Sequence, residues 1–323
     1  MSLTSNLVNP VQLRALTAAI IAKNFNLYRA GIASLEMPDQ IVGEYYQFRS
    51  RKPLGEDSTV NDGTSTDASV ETFSHFSQKG PVIKRFKPAT FTAAEITQAE
   101  EMGIDEFTSA VVAPAFADYW VGEFERLTCK VLTGLFDASA GCLKDTHLVS
   151  VAEAFSMSSC LLGKNKLGEK QLDLGAIFVH SDVFHDMQLE GRVEWLEQIG
   201  AVRMEKAIRV YEGLAIHVDD SLPTSGTGAT KTYDSYLLAP GALQFAVSRE
   251  IESIAQDVAN PPSRTVSQYC DFVVHVPGTN YAASTLPPTD AALAAAASWT
   301  KVETENRNIK AVCVRSYSSV NAT

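Results

Sequence analysis

Apolar residues recur at helical spacing most regularly between Pro114 and Phe136. Phe116, Trp120, Phe124, Leu127, Val131 and Leu135 follow one another at intervals of four, four, three, four and four. That spacing lays a single apolar stripe along a helix roughly 35 Å long. Asp118, Glu123, Glu125, Arg126 and Lys130 fall largely outside the stripe, so the segment predicts a beam lying across a sheet or a second domain. A shorter helix is expected from Asn9 to Lys23, where Leu13, Leu16 and Ile20 repeat at three and four and Pro10 takes a tolerated first-turn position. It is only a few turns long and needs a surface to dock on.

Between these helices the pattern changes. Tyr45, Tyr46 and Phe48, then Phe73, Phe76, Val82, Ile83 and Phe86, flank a tract from Ser58 to Thr72 rich in Ser, Thr, Asp and Gly. This predicts two extended arms joined by a long polar tip, over 41–91. A lone two-stranded hairpin is marginal in water. The segment is therefore either a mobile loop or an arm laid on another surface, a second subunit included. Its charges are sorted. The tip carries Glu56, Asp57, Asp62, Asp67 and Glu71 without a Lys or Arg among them; the base carries Arg49, Arg51, Lys52, Lys79, Lys84, Arg85 and Lys87. A polarised arm is steered toward a complementary neighbour. The candidate contacts between subunits are Arg49, Arg51, Lys52, Asp57, Asp62, Asp67, Phe73, Phe76, Lys84 and Arg85.

The second half alternates between the two periods. Helices are expected at Ser150 to Leu162, Ser181 to Met187, Val193 to Ile199 and Asp290 to Trp299. Strands are expected at Ala176 to His180, Leu214 to Val218, Tyr233 to Leu238, Phe272 to Val276 and Ile309 to Val314. This order predicts an α+β fold with a partly antiparallel sheet.

Composition narrows the function. Apolar residues make up 45% of the 323 and charged ones 20%, which suits a globular chain rather than a disordered one. Acids outnumber bases 38 to 27, and the net charge of −11 argues against a dedicated nucleic-acid binder. Cys129, Cys142, Cys160, Cys270 and Cys313 are odd in number and form no CxxC pair. They read as reduced, mostly buried thiols of an intracellular protein. Arg14 interrupts the early apolar stretch, no basic segment precedes it, and no apolar run reaches bilayer length. A soluble protein made in a cytoplasm, with no membrane partner, is the expectation.

Catalytic motifs fare poorly. His180, Asp182, His185 and Asp186 carry metal-ligating chemistry, and a metal-dependent hydrolase using the first three is one reading. The HExxH arrangement is absent, and Ser181 or Asp182 serves better as a helix N-cap. Gly226, Gly228 and Lys231 lack phosphate-loop spacing and sit between strands. Asp219 and Asp220 point to opposite faces at a strand end, while His217 and His275 sit within strands. No GxSxG elbow occurs. No catalytic, cofactor-binding or metal residue is assigned, and an enzyme is not expected.

The second half is distinctive as an ordered set: GAIFVHSDVFHDM from Gly175, GLAIHVDDSLP from Gly213, YDSYLLAPGAL from Tyr233, DFVVHVPGTNY from Asp271, and PPTDAALAAAASWTKVETENRNIKAVCV from Pro287. Together with Tyr119-Trp120 and Gly134-Leu135-Phe136 on the long helix, the set resembles the major capsid proteins of tailed bacteriophages, with the Hong Kong 97 type of shell fold. The resemblance runs over roughly 106–315. It implies an N-terminal arm over 1–40, an extended β-hairpin loop over 41–91 and a peripheral domain with its spine helix over 92–150. An axial domain over 151–300 and a C-terminal strand over 301–323 returning to the peripheral domain complete the set. It further implies self-assembly into pentamers and hexamers of an icosahedral shell around double-stranded DNA, with only nonspecific contact to that DNA. Scaffolding, portal and cement proteins are the implied partners, no cofactor is implied, and the location is the virion after assembly in the host cytoplasm. An encapsulin-like compartment shell is the alternative within the same fold.

Overall fold

The computed structural model describes residues 10–24, 32–35, 41–42, 44–51, 75–199, 202–259 and 262–321. Helix α1 (Pro10–Asn24) precedes the short strands β1 (Ala33–Leu35) and β2 (Ile41–Val42). Strands β3 (Tyr45–Arg51) and β4 (His75–Pro81) pair antiparallel as the two expected arms, and the tip between them lies outside the described residues. Strand β5 (Ile83–Phe91) leads into helices α2 (Ala93–Met102) and α3 (Ile104–Phe107). After a wide helical turn at Thr108–Val112 comes α4 (Ala113–Leu135), the predicted beam.

Beyond it run α5 (Lys144–His147), β6 (Leu148–Ala154), α6 (Met157–Asn165), β7 (Ala176–Val179) and α7 (Ser181–Leu189). Strands β8 (Val193–Ile199), β9 (Val202–Tyr211), β10 (Leu214–Val218), β11 (Thr224–Ser225) and β12 (Thr232–Leu238) follow. A long hairpin of β13 (Leu243–Ala259) and β14 (Pro262–His275) leads to β15 (Thr279–Tyr281), α8 (Asp290–Ala294), β16 (Trp299–Lys301) and β17 (Ala311–Tyr317).

Two sheets organise these elements. The first has the order β1-β13-β14-β5, and α4 lies across it. Every residue of the predicted apolar stripe is buried there, with Phe124 edge-on to Phe272 at 4.7 Å and to Phe245 at 5.1 Å between ring centres. Helix α1 finds the surface it requires on the same layer, burying Leu13, Thr17 and Ile21.

The second sheet has the order β6-β17-β12-β7-β10-β9-β8, with β11 beside β12. Its middle strands are apolar on both faces because each face meets a different core. Ala176, Phe178, Tyr236, Leu238, Ala311 and Cys313 join the core around α4. The alternate residues Ile177, Val179, Leu237, Val312 and Val314 join a second core with Val183 and Met187 of α7. The two-residue strand period divides one run of sequence between two cores.

Several expectations are corrected. Val193–Ile199 is not a charged helix but the strand β8, paired with β9. Ser150 to Leu162 divides into the end of β6 and the start of α6, with Ser156 as the N-cap. The helix expected from Asp290 to Trp299 ends at Ala294, and Trp299 opens β16. Residues 83–91 belong to the first sheet, because β5 pairs with β14 from Ile83↔Phe272 to Phe91↔Arg264. Strands β13 and β14, over residues 243–275, lie in that same sheet under α4. Strand β17 is inserted between β6 and β12 of the second sheet.

Candidate assembly surface

The β3–β4 hairpin is rooted by specific bonds at one end. Tyr45 donates its hydroxyl to the Ala283 carbonyl at 3.1 Å, and the Lys79 amide donates to Asn280 Oδ1 at 2.9 Å. Buried Gln78 accepts on Oε1 from the Gly278 amide at 3.0 Å and from His275 Nε2 at 2.9 Å. An amide N–H can only donate, so Gln78 Oε1 is the acceptor and His275 carries its proton on Nε2. Burial pushes the His275 imidazole down to about 3, so it is neutral. The arms leave this root in the register Tyr45↔Pro81 through Arg51↔His75.

Strand β5 continues from the root and alternates between two roles. Its inner residues face α4: Lys87 sets its ammonium 4.8 Å from the centre of the Tyr119 ring, and Arg85 enters a ring of four charges. Arg85 contacts Glu123 at 3.5 Å and Asp290 at 2.6 Å; Arg126 contacts Glu123 at 2.8 Å and the other Asp290 oxygen at 2.6 Å. Two guanidinium groups and two carboxylates thus alternate around a closed, neutral circuit joining β5, α4 and the first turn of α8. Burial raises the Asp290 carboxyl, but the hydrogen bonds and charges of Arg126 and Arg85 outweigh it and hold the group below its ordinary value. The outer face of β5 is open, and Phe86, 61% exposed, stacks on Tyr269 with ring centres 5.8 Å apart.

The sequence-predicted contact residues are distributed as follows. Arg49, Arg51 and Phe76 occupy paired positions in β3 and β4, opposite Ser77, His75 and Ser50. Lys52, Asp57, Asp62, Asp67 and Phe73 lie outside the described residues. Lys84 pairs with Glu44 at 3.4 Å, and Arg85 is held in the four-charge ring. Sequence reading missed Gln78, Asn280, Glu123, Arg126 and Asp290. Only Glu123 and Arg126 carried a local signal, being three apart on one helix.

Of the candidate catalytic cluster, His180, Asp182 and Asp186 make structural contacts. His180, not Ser181 or Asp182, caps α7: its Nδ1 accepts the Asp182 amide at 3.2 Å, while Asp220 accepts the Ser181 amide at 3.0 Å. Asp182 accepts the Tyr233 hydroxyl, Asp186 holds Ser319, and His185 is exposed. Among the described residues, no three His, Cys, Asp or Glu side chains are grouped to hold a metal ion. Gly228–Thr230 forms a tight turn between β11 and β12, and His217 stacks on Phe178 at 4.8 Å. The five cysteines are free thiols, four of them buried, and burial pushes Cys129 up to about 12 and Cys160 to about 11. Among the described residues no helix is long and apolar enough to cross a membrane.

Comparison with known proteins places this arrangement. No curated protein matches the sequence. A family model described as major capsid protein 13-like matches residues 21–313. Among solved structures, the chain resembles the capsid of Ralstonia phage GP4 with a TM-score of 0.56 and 9% identity, over 89% of this chain and 87% of that one. The capsid of cyanophage Pam1 gives 0.54 and 12% identity over 89% of each chain. The capsid of Helicobacter pylori bacteriophage KHP30 gives 0.51 and 9% identity, again over 89% of each. The fold is that of the phage shell proteins, the Hong Kong 97 type.

Proposed function

We propose that this chain, which belongs to the major capsid protein 13-like family, builds the icosahedral shell of a tailed bacteriophage around double-stranded DNA. The family match over residues 21–313 carries the reading. Each copy contributes one patch to a different patch on the next, around closed pentamers and hexamers. The β3–β4 arm is one such patch. Its root is bonded to β15 and to the loop beyond it, its base is basic and its tip acidic, and a neighbour supplies the cover a two-stranded ribbon lacks. Total contact area of obligate scale, above about 2,000 Å², is expected.

The net charge of −11 suits a container that must not grip its cargo, and contact with DNA is nonspecific. The role is structural rather than enzymatic. Scaffolding, portal and cement proteins are the proposed partners, the site of assembly the host cytoplasm, and the final location the virion. Electron microscopy of the purified chain, alone and with co-expressed neighbours, tests the reading: closed shells are expected, and a compact monomer at high concentration overturns it. The nucleic-acid content of shells from infected cells separates a DNA container from an enzyme-loaded compartment. Exchange of Asp57, Asp62 and Asp67 for Lys should impair assembly most at low salt, and unchanged assembly there refutes electrostatic steering by the tip.

A further inference from the structure

The β3–β4 arm is not the one ribbon in this chain. In the second sheet, β9 pairs with β10 only at Tyr211↔Leu214 and Val210↔Ala215. Strands β8 and β9 nevertheless continue together through Trp195↔Arg209 and Leu196↔Ile208 to Ile199↔Val202. Among the described residues no third strand accompanies them, and β8 has no partner on its outer side. Such an edge presents unpaired N–H and C=O groups, and a two-stranded ribbon is marginal in water without cover.

The first residue of this overhang is prepared for contact. Trp195 is 54% exposed, whereas Trp120 is fully buried and Trp299 is 3% exposed. Trp195 is also held in place. The Arg209 guanidinium lies 5.4 Å from the centre of its ring and 5.0 Å from that of Phe184 on α7, a cation between two aromatic faces. A large aromatic side chain fixed before contact loses little freedom on binding, and Trp and Arg are the residues that dominate interface energies.

We propose that the β8 edge, anchored by Trp195, is covered by a second copy of this chain in the assembled shell. The inference rests on the shell-protein reading above and adds to it the second patch that head-to-tail closure requires, distinct from the β3–β4 arm and on a different sheet. The charge of the surroundings favours a copy over a partner of one sign. Arg192 pairs with Glu212 at 3.4 Å, and Glu194 stands beside Arg209's strand, so two bases are matched by two acids.

Tryptophan fluorescence reads this directly, because Trp195 is the exposed one of three. Acrylamide quenching of the unassembled chain should show an accessible component that is absent from Trp195→Phe. In assembled particles of the unaltered chain that component should be lost and the emission shifted to the blue. Trp195→Glu should remain folded, with the protected emission of Trp120 and Trp299 intact, yet fail to form particles. Particles in which Trp195 is quenched as in the free chain overturn the proposal, as does normal assembly of Trp195→Glu. Cover of Trp195 that an added protein brings about while the chain stays unassembled overturns it in favour of that partner. If the unaltered chain forms no particle under any condition, the shell reading falls, and this inference with it.

Discussion

Arg126 meets Glu123 side-on: Nε donates to Oε2 and Nη2 to Oε1, each at 2.8 Å, one helical turn apart on α4. Glu123 is only 8% exposed, yet it sits beside the most apolar stripe of the chain. Its charge is tolerated because Arg85 approaches it from β5 and Arg126 bridges to Asp290. Glu123→Gln should therefore destabilise the unassembled chain by about 2 kcal/mol, less than a deeply buried pair because Arg126 is partly hydrated. Urea unfolding measures the loss, and the double variant with Arg126→Gln should recover part of it.

The same ring sets a pH dependence. Asp290 is held below its ordinary value of 3.8, so its contribution is complete above that value and is lost as the pH falls through the depressed one. The stability difference between the unaltered chain and Asp290→Asn should stay constant near neutrality and shrink below 3.8.

Two buried imidazoles act at higher pH. Burial pushes His275 from 6.5 down to about 3 and His147 from 6.5 down to about 4. His147 is neutral in its setting, donating from Nε2 to the Asn306 carbonyl at 2.8 Å. The unfolded chain takes up protons that the folded chain refuses, so stability is full above 6.5 and falls as the pH drops toward 4. Each histidine adds a slope of up to about 1.4 kcal/mol per pH unit. Unfolding midpoints across that range check this, and His275→Gln should remove one of the two slopes.

Two glycines of α4 should respond oppositely to alanine. A Cβ at Gly122 meets nothing within 4 Å, so Gly122→Ala should stabilise by about 0.5–1 kcal/mol through helix propensity. A Cβ at Gly134 would stand 2.6 Å from the Leu293 carbonyl oxygen and 2.9 Å from the Trp299 ring. Gly134→Ala should force α8 and Trp299 away, at about 1–3 kcal/mol. Thermal unfolding of the pair checks both signs.

Gln268 holds α1 in place. Its Oε1 accepts Trp120 Nε1 at 2.8 Å, and its Nε2 donates to Thr17 at 3.2 Å and Ser253 at 3.1 Å. Gln268→Leu leaves the buried indole N–H without its acceptor, which should cost about 1–3 kcal/mol. Limited trypsin digestion should then cut α1 faster than in the unaltered chain.

The long helix was legible because one residue in three or four must be apolar to face a layer, and that rule writes itself along the chain. Strand β10 was legible for the corresponding reason at period two. Strand β8 was misread because Glu194 and Glu197 gave it the look of a solvated helix, whereas β9 supplies the pairing that makes it a strand. The hairpin of β13 and β14 went largely unread: its register shifts between Val247 and Arg249 and again before Glu252, which breaks the alternation a reader follows. Of the candidate surface, the polarised arm was visible, but its anchors were not. Gln78 and Gly278 are 200 residues apart, and nothing local in either announces the other.

Local order along the chain determined the beam, the arms, the sorted charges and the absence of any recognisable catalytic spacing, since each depends on residues within a few turns of one another. The fold decided which strands share a sheet, why Glu123 is tolerated beside a core, and that Trp195 stands open while two other tryptophans are enclosed. Those outcomes depend on contacts between distant segments, where burial and hydrogen bonding are properties of the neighbour as much as of the residue.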